Sequence, residues 1–123
     1  MELVRQVGPW ELYDGSGIQT EWRLVNDKIN DPLKEGLYHN ENGPAIVYQD
    51  YNDPKKSYKI WYQYGKYHRT DGKAIEDPFN ICDYYIEGRQ YITLEDYIDG
   101  LVETGYKTSH EAQLLYLKLK DTQ

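Results

Sequence analysis

Apolar and polar residues alternate with a period of two over much of the chain up to about residue 92, and with a period near 3.6 beyond it. In the first regime, residues 8–14 set Trp10 and Leu12 against polar neighbours and run into Asp14-Gly15-Ser16-Gly17, which predicts a strand closed by a turn. Residues 20–25 resume the alternation with Trp22 and Leu24 on one face, so the two segments predict a first hairpin. Further on, Tyr58, Ile60 and Tyr62 fall on one side of a predicted strand and Lys59, Trp61 and Gln63 on the other. The second regime opens at Thr93, which with Asp96 resembles a capping box. Leu94, Tyr97, Ile98, Leu101 and Val102 then make an amphipathic stripe ended by Gly105. A second helix is expected from about Thr108, with Glu111 as its capping partner, an apolar face of Ala112, Leu115, Tyr116 and Leu119, and Lys118 and Lys120 near its C-terminus.

The extended part of the chain repeats itself. Residues 36–46 (Gly-Leu-Tyr-His-Asn-Glu-Asn-Gly-Pro-Ala-Ile) return as residues 65–75 (Gly-Lys-Tyr-His-Arg-Thr-Asp-Gly-Lys-Ala-Ile), and Trp61-Tyr62-Gln63-Tyr64-Gly65 is echoed by Tyr84-Tyr85-Ile86-Glu87-Gly88. Repetition at such spacing is the mark of stacked supersecondary units. Asn42-Gly43 and Asp71-Gly72 predict tight type I′ turns, while Gly65 and Gly88 mark second turns that need a left-handed residue. Asp31-Pro32, Asp53-Pro54 and Asp77-Pro78 predict corners between hairpins. The first copy is longer, mostly within Val47 to Asn52, which predicts a protruding loop. The resulting expectation is an α+β, mostly β fold: an antiparallel β-hairpin repeat sheet capped by two C-terminal helices that cover its last open edge. It forms one domain over residues 1–123, with an N-terminal hairpin (1–30), hairpin repeats (31–92) and a helical cap (93–123).

Composition sharpens this picture. The chain of 123 residues is only 39 % hydrophobic, but 14 Tyr and 3 Trp supply large rings with polar tips, suited to thin sheets with a half-wet face. A net charge of −7 disfavours direct nucleic-acid binding and anionic membranes, and suits a basic partner surface. The single cysteine, Cys82, excludes an intrachain disulfide and sits in an apolar run, as an inert buried thiol would. No apolar run reaches membrane-spanning length, and the chain reads as cytoplasmic.

The string Trp-Tyr-x-x-Gly-x-x-His-Arg-x-Asp-Gly-x-Ala-Ile at residues 61–75 resembles the bacterial and viral variants of the MORN repeat (membrane occupation and recognition nexus). Residues 85–97, with their Tyr-x-x-Gly-x-x-Tyr followed by an acidic helix, resemble the family's ending, and Gly43-Pro44-Ala45 matches its Gly-Pro-Ala. Lys73 departs from that pattern in the second copy, and Asn40 stands in place of the arginine in the first. The resemblance spans roughly residues 33–99 and implies β-hairpins packed side by side, used as scaffolds and interaction surfaces rather than for chemistry.

Candidate functional residues follow from both lines. His39 and His68 occupy equivalent positions beside turns, so with Gly43, Gly72, Gly65 and Gly88 they are assigned to the repeat framework. The competing enzymatic reading is a metal-dependent hydrolase using His39, His68 and carboxylates such as Glu76, Asp77 and Asp83; a sugar-binding aromatic sheet is a third class. No Ca²⁺ loop, phosphate loop or nucleophile elbow occurs, and no catalytic residue, metal or cofactor is assigned. The leading expectation is a non-enzymatic protein-binding module, in its sharper form an acidic inhibitor of a host or rival protein, as in phage counter-defence or toxin immunity. Its predicted contact residues are Tyr51, Lys55 and Lys56 in the inserted loop, Trp61 and Tyr64 on the repeat face, and Glu95, Asp99 and Glu103 along one helical stripe.

Overall fold

A computed structural model describes residues 2–26, 36–77 and 83–121. The fold is α+β and mostly antiparallel β, ending in two helices. Strands β1 (Glu2–Glu11) and β2 (Gly17–Asn26) form a long hairpin around Asp14, whose carboxylate accepts a hydrogen bond from the Ser16 amide. Gly15 turns the chain at φ +71°. The hairpin was expected, but β1 starts six residues earlier than residue 8 and ends at Glu11, because pairing with β2 continues past the aromatic positions.

The main sheet runs β1–β2–β4–β5–β8, with β4 (Ile46–Asp50), β5 (Tyr58–Ile60) and β8 (Ile75–Glu76); the short β3 (Leu37–Tyr38) also pairs β2. Two separate ribbons accompany it. One joins β6 (Tyr62–Gln63) to β7 (Lys66–Tyr67), the other β9 (Tyr84–Ile86) to β10 (Arg89–Tyr91).

Several expectations need correction at this level. The extra residues of the first copy do not all protrude. Val47 to Asp50 lie in β4, where they extend the ladder between β2 and β5. Only the following stretch, through the 3₁₀ turn Pro54–Lys56 capped by the Asp53 carboxylate, forms a loop. Residues 58–63 are not one strand either. At Trp61 the chain leaves the main sheet for the first ribbon, the Trp61 amide donating to Ala74 O while its carbonyl accepts from the His68 amide. Nor are Asn42-Gly43 and Asp71-Gly72 type I′ turns, since neither glycine has positive φ. The left-handed pairs are Tyr64-Gly65 (φ +50° and +77°) and Glu87-Gly88 (φ +50° and +85°), each the two-residue connection of a ribbon. Of the predicted Asp-Pro corners, Asp53-Pro54 is a turn, whereas Asp31-Pro32 and Pro78 lie outside the described residues.

Helix α1 (Leu94–Glu103) starts at Thr93, whose hydroxyl accepts from the Asp96 amide. It ends before Gly105 at φ +83°, whose amide donates to Val102 O. Helix α2 (Ser109–Lys120) opens with a full capping box between Thr108 and Glu111. The apolar stripes fall where the periodicity put them except at Val102, which is exposed on the rim: Leu94, Tyr97, Leu101, Ala112 and Leu115 are buried, and Ile98, Tyr116 and Leu119 are partly so. They cover a face rather than an edge. Tyr84, Ile86 and Tyr91 on one side of the β9–β10 ribbon meet Leu94, Tyr97, Leu101 and Leu115 in a single core. Gly100 is needed there, because a Cβ would sit 2.5 Å from the Tyr91 ring.

Candidate interaction surface

The two copies of the repeated segment make the same contacts in the same places. His39 Nδ1 accepts a 3.0 Å hydrogen bond from the Tyr64 amide, and His68 Nδ1 accepts a 2.9 Å bond from the Glu87 amide. Each histidine therefore holds the first left-handed residue of the next ribbon, a conformation that costs a non-glycine residue about 1–2 kcal/mol. With Nδ1 accepting, the neutral ring carries its proton on Nε2. Both imidazoles are buried, and burial holds His68 below the ordinary histidine range, partly countered by Glu87. His39 Nε2 faces the Glu41 carboxylate at 3.5 Å.

The backbone repeats the equivalence. His39 N donates to Trp22 O and His68 N to Trp61 O; Gly65 N donates to Tyr38 O and Gly88 N to Tyr67 O; Trp22 N donates to Ala45 O and Trp61 N to Ala74 O. Trp22 thus stands to the first copy as Trp61 stands to the second. Asn40 and Arg69 differ in chemistry yet share a task. The Asn40 amide donates to Pro44 O and the Arg69 guanidinium to Lys73 O, each bracing the loop four residues on. The longer arginine also reaches Asp71 and Glu76 and lies over the Trp61 ring at 3.7 Å.

Tyrosines line up across the copies. Tyr38, Tyr62, Tyr67 and Tyr85 follow one another with ring centroids 5.1, 4.8 and 4.9 Å apart. Against the histidines the copies diverge. Tyr64 lies 4.4 Å from the His39 ring, but Glu87 holds the corresponding place beside His68. There Tyr106, from the connection between the helices, supplies the ring at 5.0 Å. Its hydroxyl donates to Glu87 at 2.6 Å, and this bond with burial raises the phenol to about 12. Tyr97 locks the helical part to the second copy: its hydroxyl donates to Arg69 O at 2.6 Å and accepts from the Gly72 amide at 3.3 Å.

The predicted contact residues separate into three groups. Tyr51, Lys55 and Lys56 are exposed on the loop after β4. Tyr64 is exposed as expected, at 58 %, but Trp61 is half-buried, with the Arg69 guanidinium over its ring. Glu95, Asp99 and Glu103 are exposed and come together along one groove of about 490 Å³ between α1 and α2. Ile98, Val102 and Ala112 line the same groove, with Ser109, Gln113 and Tyr116 from α2. Tyr116 donates to Glu95 at 3.2 Å across it.

Sequence reasoning missed a buried carboxylate. Glu21, in the middle of β2, is 4 % exposed and accepts from Gln19, Arg23 and the Tyr38 hydroxyl. The polar row Gln19, Glu21, Arg23 on alternate positions is the signal that could have found it. Among the described residues, no three His, Cys, Asp or Glu side chains gather as a metal site, and no helix is long and apolar enough to cross a membrane. Cys82 lies outside the described residues. Compared with protein-family models, curated proteins and solved structures, the chain matches none.

Proposed function

We propose that this chain is a non-enzymatic protein-interaction module: a scaffold of MORN-like hairpin repeats whose helical end engages a basic surface on another protein. The observation that carries the reading is the convergence of Glu95, Asp99 and Glu103 on one groove that also exposes apolar side chains. Helix α1 has four carboxylates, Glu95, Asp96, Asp99 and Glu103, and no lysine or arginine. Like charges four residues apart destabilise a helix by about 0.2–0.5 kcal/mol per pair, a cost that a cationic partner relieves. The histidines support a scaffold role in turn, since each Nδ1 is engaged by a backbone amide. The inhibitor form of the reading rests on the same complementarity, with the acidic face occupying a surface otherwise used for a polyanion.

Retention of lysate proteins on the immobilised chain tests this. A basic protein should be held at about 0.1 M salt and released near 0.5 M, where screening shortens the reach of surface charge. Retention indifferent to salt, or none at all, counts against the proposal.

A further inference from the structure

We infer that the occupant of the α1–α2 groove is a basic amphipathic helix lying along α1, its apolar stripe on Ile98 and Val102 and its cations against Glu95, Asp99 and Glu103. This deepens the function proposed above and rests on it.

Charge sets the sign of the partner. The three carboxylates stand at i, i+4 and i+8, a row about 12 Å long at 1.5 Å per residue. Among the described residues no lysine or arginine comes within ion-pair distance of Asp99 or Glu103. The α2 residues opposite, Ser109, Gln113 and Tyr116, carry no charge. The complement is a row of lysine or arginine at helical spacing, since residues four apart on a partner helix repeat the same step of about 6 Å.

Backbone chemistry sets the form. Both walls of the groove are helix faces, so no sheet edge is offered to an incoming chain. An extended peptide laid on Ile98 and Val102 would lose water from amides that find no partner there. A helix brings its backbone bonds with it and needs only side-chain complementarity. Ile98 is half-buried and Val102 is 37 % exposed, so apolar surface remains for a third helix to cover. Ridge-into-groove packing against two helices is the common way to do so.

The test uses a fluorescein-labelled peptide of about 18 residues, long enough to hold a helix when bound, with Leu at i, i+3, i+4 and i+7 and Arg on the flanks. A second peptide of identical composition has its order scrambled to destroy the apolar stripe. Fluorescence anisotropy against the full chain should show saturable binding of the first and at least tenfold weaker binding of the second. The triple variant Glu95→Gln/Asp99→Asn/Glu103→Gln removes three exposed charge pairs and should weaken the first peptide by about tenfold. Val102→Ser, which adds no charge, should weaken it as well, through the apolar contact. Circular dichroism and thermal melting confirm that both variants remain folded. Equal binding of the two peptides, or unchanged binding by the triple variant, overturns the proposal. A lysate partner retained equally by the native chain and the triple variant would overturn the groove while leaving the interaction module standing.

Discussion

Replacing Tyr97 by Phe removes one oxygen from the joint between the helices and the repeat. The ring is fully buried, and its hydroxyl is bonded on both sides, donating to Arg69 O and accepting from the Gly72 amide. Without it the buried Gly72 N–H has no acceptor, a loss of about 1–3 kcal/mol, and Arg69 O forfeits a short bond worth about 1 kcal/mol. Against this, the phenylalanine no longer has a hydroxyl to desolvate, and the hydrophobic core around Tyr84, Tyr91 and Leu101 is unchanged. The expected net destabilisation is about 2 kcal/mol. Urea unfolding at neutral pH reads it as a lower midpoint at constant slope, the slope reporting that the surface exposed on unfolding is unaltered. Amide exchange at Gly72 should accelerate in parallel. Tyr64→Phe, at an exposed ring, serves as the comparison. A shift below about 0.5 kcal/mol, the range of an ordinary surface change, would refute the claim that this hydroxyl joins the two parts. A second readout is alkaline pH. Burial raises the Tyr97 phenol above its ordinary 10.0, so the unfolded chain ionises first and stability falls as pH climbs past about 10. Part of that fall should vanish in Tyr97→Phe.

Four further outcomes are expected. On the acid side, burial depresses His68 below 6.5, so its contribution is complete above about pH 6.5 and is lost as pH falls through the depressed value; a pH series of urea midpoints should flatten in His68→Phe while the overall stability drops. Glu21→Ala leaves Arg23 and the Tyr38 hydroxyl without their shared acceptor and should cost about 2 kcal/mol, discounted because Arg23 is 25 % exposed; a thermal melt within a degree of the native protein would contradict it. Gly65→Ala forces a side chain into φ +77° and against Leu37 at 3.0 Å, so it should lose about 1–2 kcal/mol, more than Gly105→Ala, whose added methyl meets open space. Thr108→Ala removes the capping hydroxyl of α2 and should cost about 1 kcal/mol, seen as reduced helicity on mild heating.

What could be read from the chain, and what could not, divides along physical lines. The helices were legible to the residue pattern because Leu94, Tyr97, Leu101, Ala112 and Leu115 owe their burial to a local period. The position of Glu95, Asp99 and Glu103 on one stripe was equally local, but the uncharged wall of Ser109, Gln113 and Tyr116 opposite them depends on how α2 returns, which no spacing encodes. The turns misled for a definite reason. Asn42-Gly43 has the right chemistry for a type I′ turn, yet the Asn40 side chain binds Asn42 N and Pro44 O and shapes a wider loop instead. Tyr64 and Glu87 lack that chemistry, and they hold positive φ because a histidine from the preceding segment binds their amides. Tertiary contacts decided both cases. Trp61 was expected in the open for the same kind of reason: alternation places its ring on a face but says nothing of an arginine covering it.

Tyr106 carries a last implication. His39 and His68 each finish their surroundings with something borrowed from further along, a neighbouring tyrosine in one instance and the interhelical connection in the other. The assembly is therefore open-ended until a borrowed ring from outside the series arrives, and that ring works as a full stop. Chain length in such a series is then set by where the stop is written. Splicing one more 29-residue unit between residues 64 and 65 should give a longer molecule with the same ending, not a misfolded one.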